Sequence, residues 1–193
     1  TPLQLATATA ILANRGAVVQ PRIVKAVDGE PFEPLNNNPK PEVFADDADY
    51  WRYIHEAMTM VVHRPFSDEF RDYGTAYESI AMQDRSMPYL MAGKSGTAQV
   101  VGISQEILSS EDIIVSDLNK DHGLFVSFAP AMHPEIGPKI SVAVFVENGE
   151  HGSSVAGPIA KQVIDTYLLD ILRLDFGAED LEAAGAIVTQ LDE

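Results

Sequence analysis

Three stretches of the chain carry the residue pattern of helices. Residues 1–16 open with Thr1 and Gln4, which match a capping box, and they close on a glycine, a common helix stop. From Asp46 to about His63, apolar residues recur every three or four positions, as on one face of a helix. The same spacing runs from about Val155 to Arg173. The sequence therefore predicts three helices, of which the last two are amphipathic.

Three other stretches have the alternation or the β-branched content of strands. They are residues 91–101, 123–131 and 139–148. The last is the clearest, because an aliphatic residue stands at every second position from Ile140 to Val146. A connector rich in Pro and Gly joins the last two strands. We expect these two to form a hairpin that pairs antiparallel beside the central strand 91–101.

The remaining stretches predict the domain organisation. Residues 29–41 hold four prolines and three asparagines, and residues 102–120 are polar and acidic, so both are expected to be loops. Residues 74–82 are compatible with a short helix. Residues 1–173 are expected to belong to one domain. Residues 174–193 contain six acidic residues and no basic one, so we expect an acidic, disordered C-terminal tail.

Composition and charge exclude several classes of function. At 193 residues with 46% hydrophobic content, the chain is long enough for one globular core. The 13 basic and 29 acidic residues give a net charge of −16, which argues against nucleic acid as a partner. Without cysteine, the chain has no disulfides and no thiolate chemistry.

No stretch of the sequence is apolar and long enough for a membrane span. The chain starts at Thr1 without a methionine. We therefore expect an excised segment, with any anchor or export signal lying upstream of it.

The central strand also concentrates the residues best suited to chemistry. Within four positions it places a cation, Lys94, two hydroxyls, Ser95 and Thr97, and a residue without a side chain, Gly96. Hydroxyl donors and an ammonium suit a carboxylate ligand. At about 4 Å and an effective dielectric near 20, such a charge pair is worth roughly 4 kcal/mol. An edge strand that ends in a turn is the structural alternative.

Two details limit what this pattern predicts by itself. A phosphate-binding loop is excluded, because its earlier glycine is Pro88 here and the segment has the pattern of a strand. Strict alternation puts Ser95 and Thr97 on one face of the strand and Lys94 on the other. The pattern therefore leaves open whether Lys94 shares a cleft with the two hydroxyls.

The stretch from Ala92 to Val100 resembles the Lys-Thr/Ser-Gly motif of penicillin-binding proteins. Further stretches resemble the same family in the same order, so that the likeness covers residues 1 to about 173. They are Thr1–Ala6, Gly74–Ala76, Asp121–Pro130 and Val146–Ser154. Together they are similar to the C-terminal part of a class B penicillin-binding protein of the cell-elongation type. The resemblance implies an α/β (α+β) transpeptidase fold, also found in β-lactamases, with an antiparallel sheet and helices on both faces.

The resemblance assigns roles to residues of the central strand. Lys94 resembles the motif lysine that polarises the site and helps to hold a substrate carboxylate. Ser95 resembles its hydroxyl partner and replaces the commoner threonine, while Gly96 completes the motif. Thr97 resembles the residue that supplies a hydroxyl and one oxyanion-hole N–H. From its place in a Gly-rich turn near the strands, His151 is a candidate for the rim of the cleft.

The family's nucleophile is missing from these residues. The family needs a Ser-x-x-Lys and a Ser-x-Asn, and none of the serines heads either pattern. The nearest match is Ser116 with Lys120, which is one position too long. We therefore expect the nucleophilic serine, its lysine and the second oxyanion donor upstream of Thr1. No metal and no cofactor are expected.

The resemblance implies a serine-type peptidoglycan D,D-transpeptidase that cross-links stem peptides through an acyl-serine intermediate. Implied partners are the stem peptide, β-lactams as inhibitors, the rest of the same domain and a membrane glycosyltransferase of the elongation machinery, with no nucleic acid. The implied location is the periplasm, with an anchor in the inner membrane. The alternatives are a β-lactamase or D,D-carboxypeptidase of the same fold, or a catalytically inactive scaffold that binds other proteins.

Overall fold

The computed structural model describes residues 1–32, 49–66, 68, 72–100, 120–133 and 135–177. Within these ranges no helix has both the length and the apolar content needed to cross a membrane. Residues 102–119 of the predicted loop 102–120 and residues 33–41 of the predicted loop 29–41 lie outside the described residues.

The first helix, α1, spans Pro2–Ala13 and confirms the predicted capping box. The Thr1 hydroxyl accepts a hydrogen bond from the Gln4 N–H at 3.3 Å, and the Gln4 side-chain oxygen accepts one from the Thr1 nitrogen at 2.8 Å. The helix stops where Arg15 and Gly16 take left-handed backbone conformations, with φ of 51° and 94°. This is the helix stop that the sequence predicts.

A small hairpin follows α1 and precedes the second helix. Its strands are β1, Ala26–Val27, and β2, Glu30–Pro31, which pair antiparallel around a turn at Asp28 and Gly29. The second helix, α2, spans Asp49–His63. Its C-terminal end lies where the sequence predicts it, and residues 46–48 lie outside the described part of the chain.

Three antiparallel strands form the main sheet in the order β3-β4-β5. They span Ala92–Ala98, His122–Ala129 and Ile140–Val146. In the register, Lys94 faces Val126 across the ladder and Thr97 faces Gly123. The predicted hairpin and its pairing beside the central strand are therefore confirmed.

Helices cover both faces of this sheet, as the fold class requires. On one face, α1 packs with Phe128 and Ala92 in an apolar cluster. On the other face, the C-terminal helix packs over Phe125 and the valines of β5. Residues of α2 enter both clusters, Met58 the first and Val62 the second. The helix α2 therefore lies beside the β3 edge of the sheet and bridges the two layers.

The C-terminal helix is longer at its start than the sequence predicts. It comprises Gly152–Ala156 with π-helical turns, α3 at Gly157–Asp165, and Thr166–Ile171, again with π-helical turns. We use "C-terminal helix" for this whole segment. Its buried positions Ala160, Ile164 and Leu168 repeat every four residues. The apolar face expected from the sequence is confirmed at Ile164 and Leu168, whereas its other members Ile159, Val163 and Ile171 are exposed, so the buried stripe is narrower than predicted.

Two further segments refine the sequence interpretation. Residues 75–83 form successive turns rather than a short helix, because their backbone bonds mix spacings of three, four and five residues. Beyond Arg173, Leu174 packs on the core, and Phe176 is buried against the rings of Tyr89 and His133. The core therefore extends to Phe176, and residues 178–193 of the predicted tail lie outside the described residues.

Candidate active site

The residues that the sequence proposes for chemistry lie in the most exposed part of β3. Ala92 and Gly93 are buried, whereas Lys94, Gly96 and Thr97 are exposed and Ser95 is half-buried. In the described part of the chain β3 pairs only with β4. The other edge of β3, along residues 94–98, is called the open edge below.

Close packing of Gly152 on the sheet identifies which backbone groups face the open edge. A methyl group at Gly152 would lie 1.9 Å from the Leu124 carbonyl oxygen and 2.7 Å from the Gly96 carbonyl oxygen. Both oxygens therefore point into the gap between β3 and β4, so Gly96 and Leu124 are a pair that exchanges both ladder hydrogen bonds. Because such pairs alternate along an antiparallel ladder, Ser95 and Thr97 direct their N–H and C=O groups toward the open edge.

The Lys94 ammonium lies at the same edge. Its Nζ donates to the Ser95 carbonyl oxygen at 2.6 Å, and that oxygen is one of the outward-facing groups. Among the residues described, no carboxylate lies within ion-pair distance of this ammonium. The Lys94 side chain leaves the strand on the face opposite Ser95 and Thr97, but its charge reaches the shared edge.

The helix α2 covers β3 only before the open edge begins. His63 Nε2 accepts a hydrogen bond from the Met91 N–H at 2.9 Å, and Val62 lies 3.2 Å from the position that a Gly93 side chain would take. Burial lowers the pKa of His63 to about 4, so the ring is neutral at pH 7 and its Nε2 can accept this bond. Beyond Gly93 the strand emerges from under α2, and there the exposed motif begins.

A strained turn closes the far end of the site. Asn148 and Glu150 both have left-handed backbone conformations, with φ of 54° and 58°. The Glu150 N–H donates to the Asp121 carbonyl at 2.8 Å, and the Asn148 N–H donates to His122 Nδ1 at 2.9 Å. Left-handed conformations are uncommon for residues other than glycine, and residues so constrained cluster at functional sites.

This turn contacts the motif directly through Thr97. The Thr97 hydroxyl donates to the Glu150 carbonyl at a long 3.4 Å, and the Glu150 carboxylate pairs with the Lys120 ammonium at 3.3 Å. His151 follows Glu150 and is exposed beside Gly152. The structure therefore brings the turn that carries His151 against the end of the motif strand.

Two further histidines of the described chain contact other groups. His55 Nε2 lies 2.8 Å from the Leu12 carbonyl, and its ring packs on Phe128. His122 uses Nδ1 to accept from Asn148 and packs its ring edge-on against Phe145. No three metal-ligating side chains cluster anywhere in the described ranges.

Sequence reasoning missed two parts of this arrangement. It ends the third strand at Asn148, although the Asn-Gly pair at 148–149 signals left-handed backbone, and the strand ends at Val146. It also missed the bond between the Tyr89 hydroxyl and the Asp165 carboxylate, which join segments 76 residues apart. No local pattern marks a contact at that separation.

Comparison with known proteins places this arrangement in context. The family described as penicillin binding protein transpeptidase domain matches residues 1–165. Over 171 residues the chain is 42% identical to the peptidoglycan D,D-transpeptidase MrdA of Acinetobacter baumannii, covering 88% of this chain and 22% of that protein. Over 188 residues it is 34% identical to MrdA of Escherichia coli strain K12, covering 96% of this chain and 27% of that protein. The chain thus spans about a quarter of the length of the curated relatives it matches.

Solved structures support the same fold. The crystal structure of Pseudomonas aeruginosa PBP2 in complex with WCK 5153 matches with a TM-score of 0.66 at 40% identity, over 93% of this chain and 32% of that chain. The Helicobacter pylori complex between penicillin-binding protein PBP2 and MreC matches with a TM-score of 0.55 at 24% identity, over 88% of this chain and 25% of that chain. At 24% identity the second likeness concerns the fold alone.

Proposed function

The chain belongs to the family of penicillin-binding protein transpeptidase domains, and from this premise we propose that it forms one wall of the active site of a peptidoglycan D,D-transpeptidase. The relatives at 42% and 34% identity carry that name. The proposed enzyme joins stem peptides through an acyl-serine intermediate, and β-lactams inhibit it by acylating the same serine.

The observation that carries this proposal is the convergence of three groups on the open edge of β3. The Lys94 ammonium lies there with no carboxylate partner in the described chain, and the backbone N–H groups of Ser95 and Thr97 face the same way. An exposed cation beside outward N–H groups suits a substrate that ends in a carboxylate and reacts at a nearby carbonyl.

Each residue of the motif has a proposed role in this reaction. Lys94 holds the substrate carboxylate, helped by the hydroxyls of Ser95 and Thr97. The Thr97 N–H donates to the carbonyl oxygen as negative charge develops on it. Gly96 is exposed and has no side chain, so a substrate backbone can approach β3 closely. His151, exposed on the strained turn, lines the rim of the cleft.

The nucleophile is proposed to come from residues of the same protein outside these 193. Its serine oxygen attacks the carbonyl carbon of the penultimate D-Ala, the bond to the terminal D-Ala nitrogen breaks, and that amine takes the serine proton. The amine of a second stem peptide then attacks the acyl-serine ester and restores the serine hydroxyl. The chain contributes charge and N–H donors to both steps, without metal or cofactor.

The cellular setting follows as a further part of the proposal. A peptidoglycan cross-linking enzyme of this family acts in the periplasm, attached to the inner membrane, and supports cell elongation and cell shape. A membrane glycosyltransferase that makes the glycan strands is the expected partner. These statements rest on family membership and on the names of the relatives.

Lys94→Ala in the full-length protein tests the proposed function. Because truncating one member of a desolvated charge pair costs about 2–5 kcal/mol, the second-order rate of acylation by a fluorescent penicillin should fall at least about tenfold. Ser95→Ala should cost less, since a hydrogen bond to a charged group is worth roughly 1.5–3 kcal/mol.

Lys139→Ala is the matched control, because this exposed lysine directly precedes β5, which lies at the edge of the sheet opposite β3. It should acylate at the wild-type rate. If Lys94→Ala also does so while circular dichroism shows an intact fold, the motif strand is structural only. A wild-type protein that is never acylated would exclude the enzyme and favour a scaffold.

A further inference from the structure

Three consecutive residues just before β3 are each held by a different element of the fold. They are Tyr89, Leu90 and Met91. Their hydrogen-bond partners lie on the C-terminal helix, after β4 and on α2, and are Asp165, Ala131 and His63 respectively. The start of the motif strand is therefore fixed from three directions, three to five residues before Lys94.

The bond from the Tyr89 hydroxyl to Asp165 is the most elaborately supported of the three. Lys161 Nζ lies 2.6 Å from Asp165 Oδ2 and 2.8 Å from Asp84 Oδ2, and its side chain is 14% exposed. The Ser86 hydroxyl in turn donates to Asp84 Oδ1 at 2.8 Å. One ammonium thus holds two carboxylates that would otherwise repel each other, and it ties residues 84–89 to the C-terminal helix.

The protonation states of this network keep its bonds in place near neutral pH. Burial, and then the bond to Asp165, raises the pKa of the Tyr89 phenol, so the hydroxyl remains a donor. The hydrogen bond from Lys161 lowers the pKa of Asp84, so that carboxylate remains charged. The network therefore keeps these hydrogen bonds and ion pairs near neutral pH.

Resting on the function proposed above, we propose that Tyr89 is a positioning residue for that site: its hydroxyl, anchored on Asp165, sets the position of β3 and hence of the Lys94 ammonium and the Thr97 N–H. These groups lie five and eight residues further along the strand, where α2 no longer covers it. Displacements of about 1 Å in such groups can change a rate about 100-fold. The hydrogen bond between Tyr89 and Asp165 thus affects catalysis without either residue contacting the substrate.

The effect of the Tyr89 hydroxyl can be measured separately from the packing of its ring. Tyr89 is 3% exposed, and its ring packs against Phe176 in the main core cluster. Tyr89→Phe keeps this packing and removes only the donor. Tyr167→Phe is the matched control, because Tyr167 is partly buried on the same helix two residues from Asp165, and its hydroxyl makes no hydrogen bond within the described chain.

The test compares these variants in the full-length protein by acylation kinetics with a fluorescent penicillin and by hydrogen exchange of the β3 amides. For Tyr89→Phe we expect the first-order acylation rate constant to fall about three- to tenfold. The apparent binding constant should change less than about twofold, and the amides of Lys94, Gly96 and Ala98, which face β4 in the ladder, should exchange faster. Tyr167→Phe should match the wild type in all three.

A destabilised control separates positioning from simple loss of stability. Val142→Ala removes buried side-chain atoms of β5 and leaves a cavity in the same core cluster, while the polar network stays intact. It should therefore lower the melting temperature without selectively speeding amide exchange in β3. Asp165→Asn keeps an oxygen that accepts from Tyr89 and should retain most of the rate, whereas Asp165→Ala, which also removes the ion pair with Lys161, should lose at least as much rate as Tyr89→Phe.

Equal losses of rate in Tyr89→Phe and Val142→Ala at equal melting temperature would overturn the proposal, as would unchanged exchange in β3. If the wild type is not acylated, the proposed function fails, and the exchange measurement still decides whether the Tyr89 hydroxyl fixes the strand. Faster β3 exchange together with a selective loss of acylation rate supports it.

Discussion

At the scale of single residues, Ser127 carries a buried hydroxyl that has no hydrogen-bond partner in the described chain. The side chain is fully buried on β4, opposite Gly93. A buried polar group left without a partner costs about 1–3 kcal/mol. Ser127→Ala should therefore raise the free energy of unfolding by about 1 kcal/mol, measured by urea denaturation of the full-length protein.

Ser79→Ala is the opposite case and serves as the control for Ser127→Ala. The Ser79 hydroxyl donates to the Ser153 carbonyl at 2.8 Å and joins residues 75–83 to the start of the C-terminal helix. Removing it should lower stability by about 1 kcal/mol. A loss of stability in Ser127→Ala of similar size would mean that its hydroxyl is satisfied after all.

The buried ring of His63 predicts a dependence of stability on pH. Its pKa is about 4 in the folded protein against 6.5 for the unperturbed side chain, and burial is the main cause. Because the unfolded state binds the proton more readily, stability is complete above pH 6.5 and is lost as pH falls toward 4. Over that window the loss attributable to His63 is about 3 kcal/mol.

Denaturant unfolding between pH 7 and pH 4 measures this effect, and the variants separate its source. His63→Gln can still accept the Met91 N–H through its amide oxygen but cannot titrate, so its stability should vary less with pH. His151→Gln, at an exposed position, should follow the wild-type profile. A wild-type profile in His63→Gln would assign the effect to other groups, among them His55, whose pKa burial also lowers.

At the scale of elements, the turn after β5 depends on the missing side chain of Gly152. A methyl group there would lie 1.9 Å from the Leu124 carbonyl oxygen, so Gly152→Ala must displace the turn from the sheet or strain it. Such overpacking typically costs about 1–3 kcal/mol. We expect a lower melting temperature and slower acylation by penicillin, because Thr97 contacts the same turn.

Gly137→Ala provides the matched control for this turn. No atom lies within 4 Å of the position that its methyl group would take, so stability and acylation should stay near wild type. If Gly152→Ala is equally silent, the turn tolerates displacement and does not shape the site.

The end of the C-terminal element gives a second prediction at this scale. Phe176 is 8% exposed and packs on Tyr89 and His133, so the packed chain continues past the last turn of the helix. Truncation after Gly177 should leave acylation of the full-length protein unchanged. Phe176→Ala should lower stability by about 3–5 kcal/mol, as is typical for a buried aromatic. A large rate loss on truncation would assign residues 178–193 a part in the site.

At the scale of the whole molecule, the sequence predicts the layered fold because its strongest patterns are local. The alternation from Ile140 to Val146, the capping box at Thr1 and the stripe of the C-terminal helix each specify one element. The Lys94 motif also specifies the strand on which we propose the site. All of these depend on residues within a few positions of one another.

What the sequence does not predict depends on contacts between distant segments. Alternation alone puts Lys94 and Thr97 on opposite faces, and only the ladder register reveals that their polar groups share an edge. The bond between Tyr89 and Asp165 and the burial of Phe176 likewise require the folded layers. Tertiary packing, which sequence periodicity does not encode, decides each of these cases.

The 193 residues contain no serine in the sequence setting that this family uses for its nucleophile. Acylation needs a serine made nucleophilic by a lysine on the same helical face, three residues later in this family. None of the twelve serines has a lysine at that position, and Ser116 with Lys120 is spaced by four. In the function proposed above, Lys94 and Thr97 hold a carboxylate and an oxyanion, but neither forms the acyl bond.

The 193 residues alone should therefore form no adduct with a penicillin, whereas the full-length protein should gain the mass of one antibiotic. Intact-mass spectrometry after incubation measures both directly. A heat-denatured full-length sample controls for nonspecific attachment. A stable adduct on the 193-residue chain, mapped by peptide digestion to one of its serines, would show that the nucleophile lies within these residues and that Lys94 serves a different serine from the one proposed.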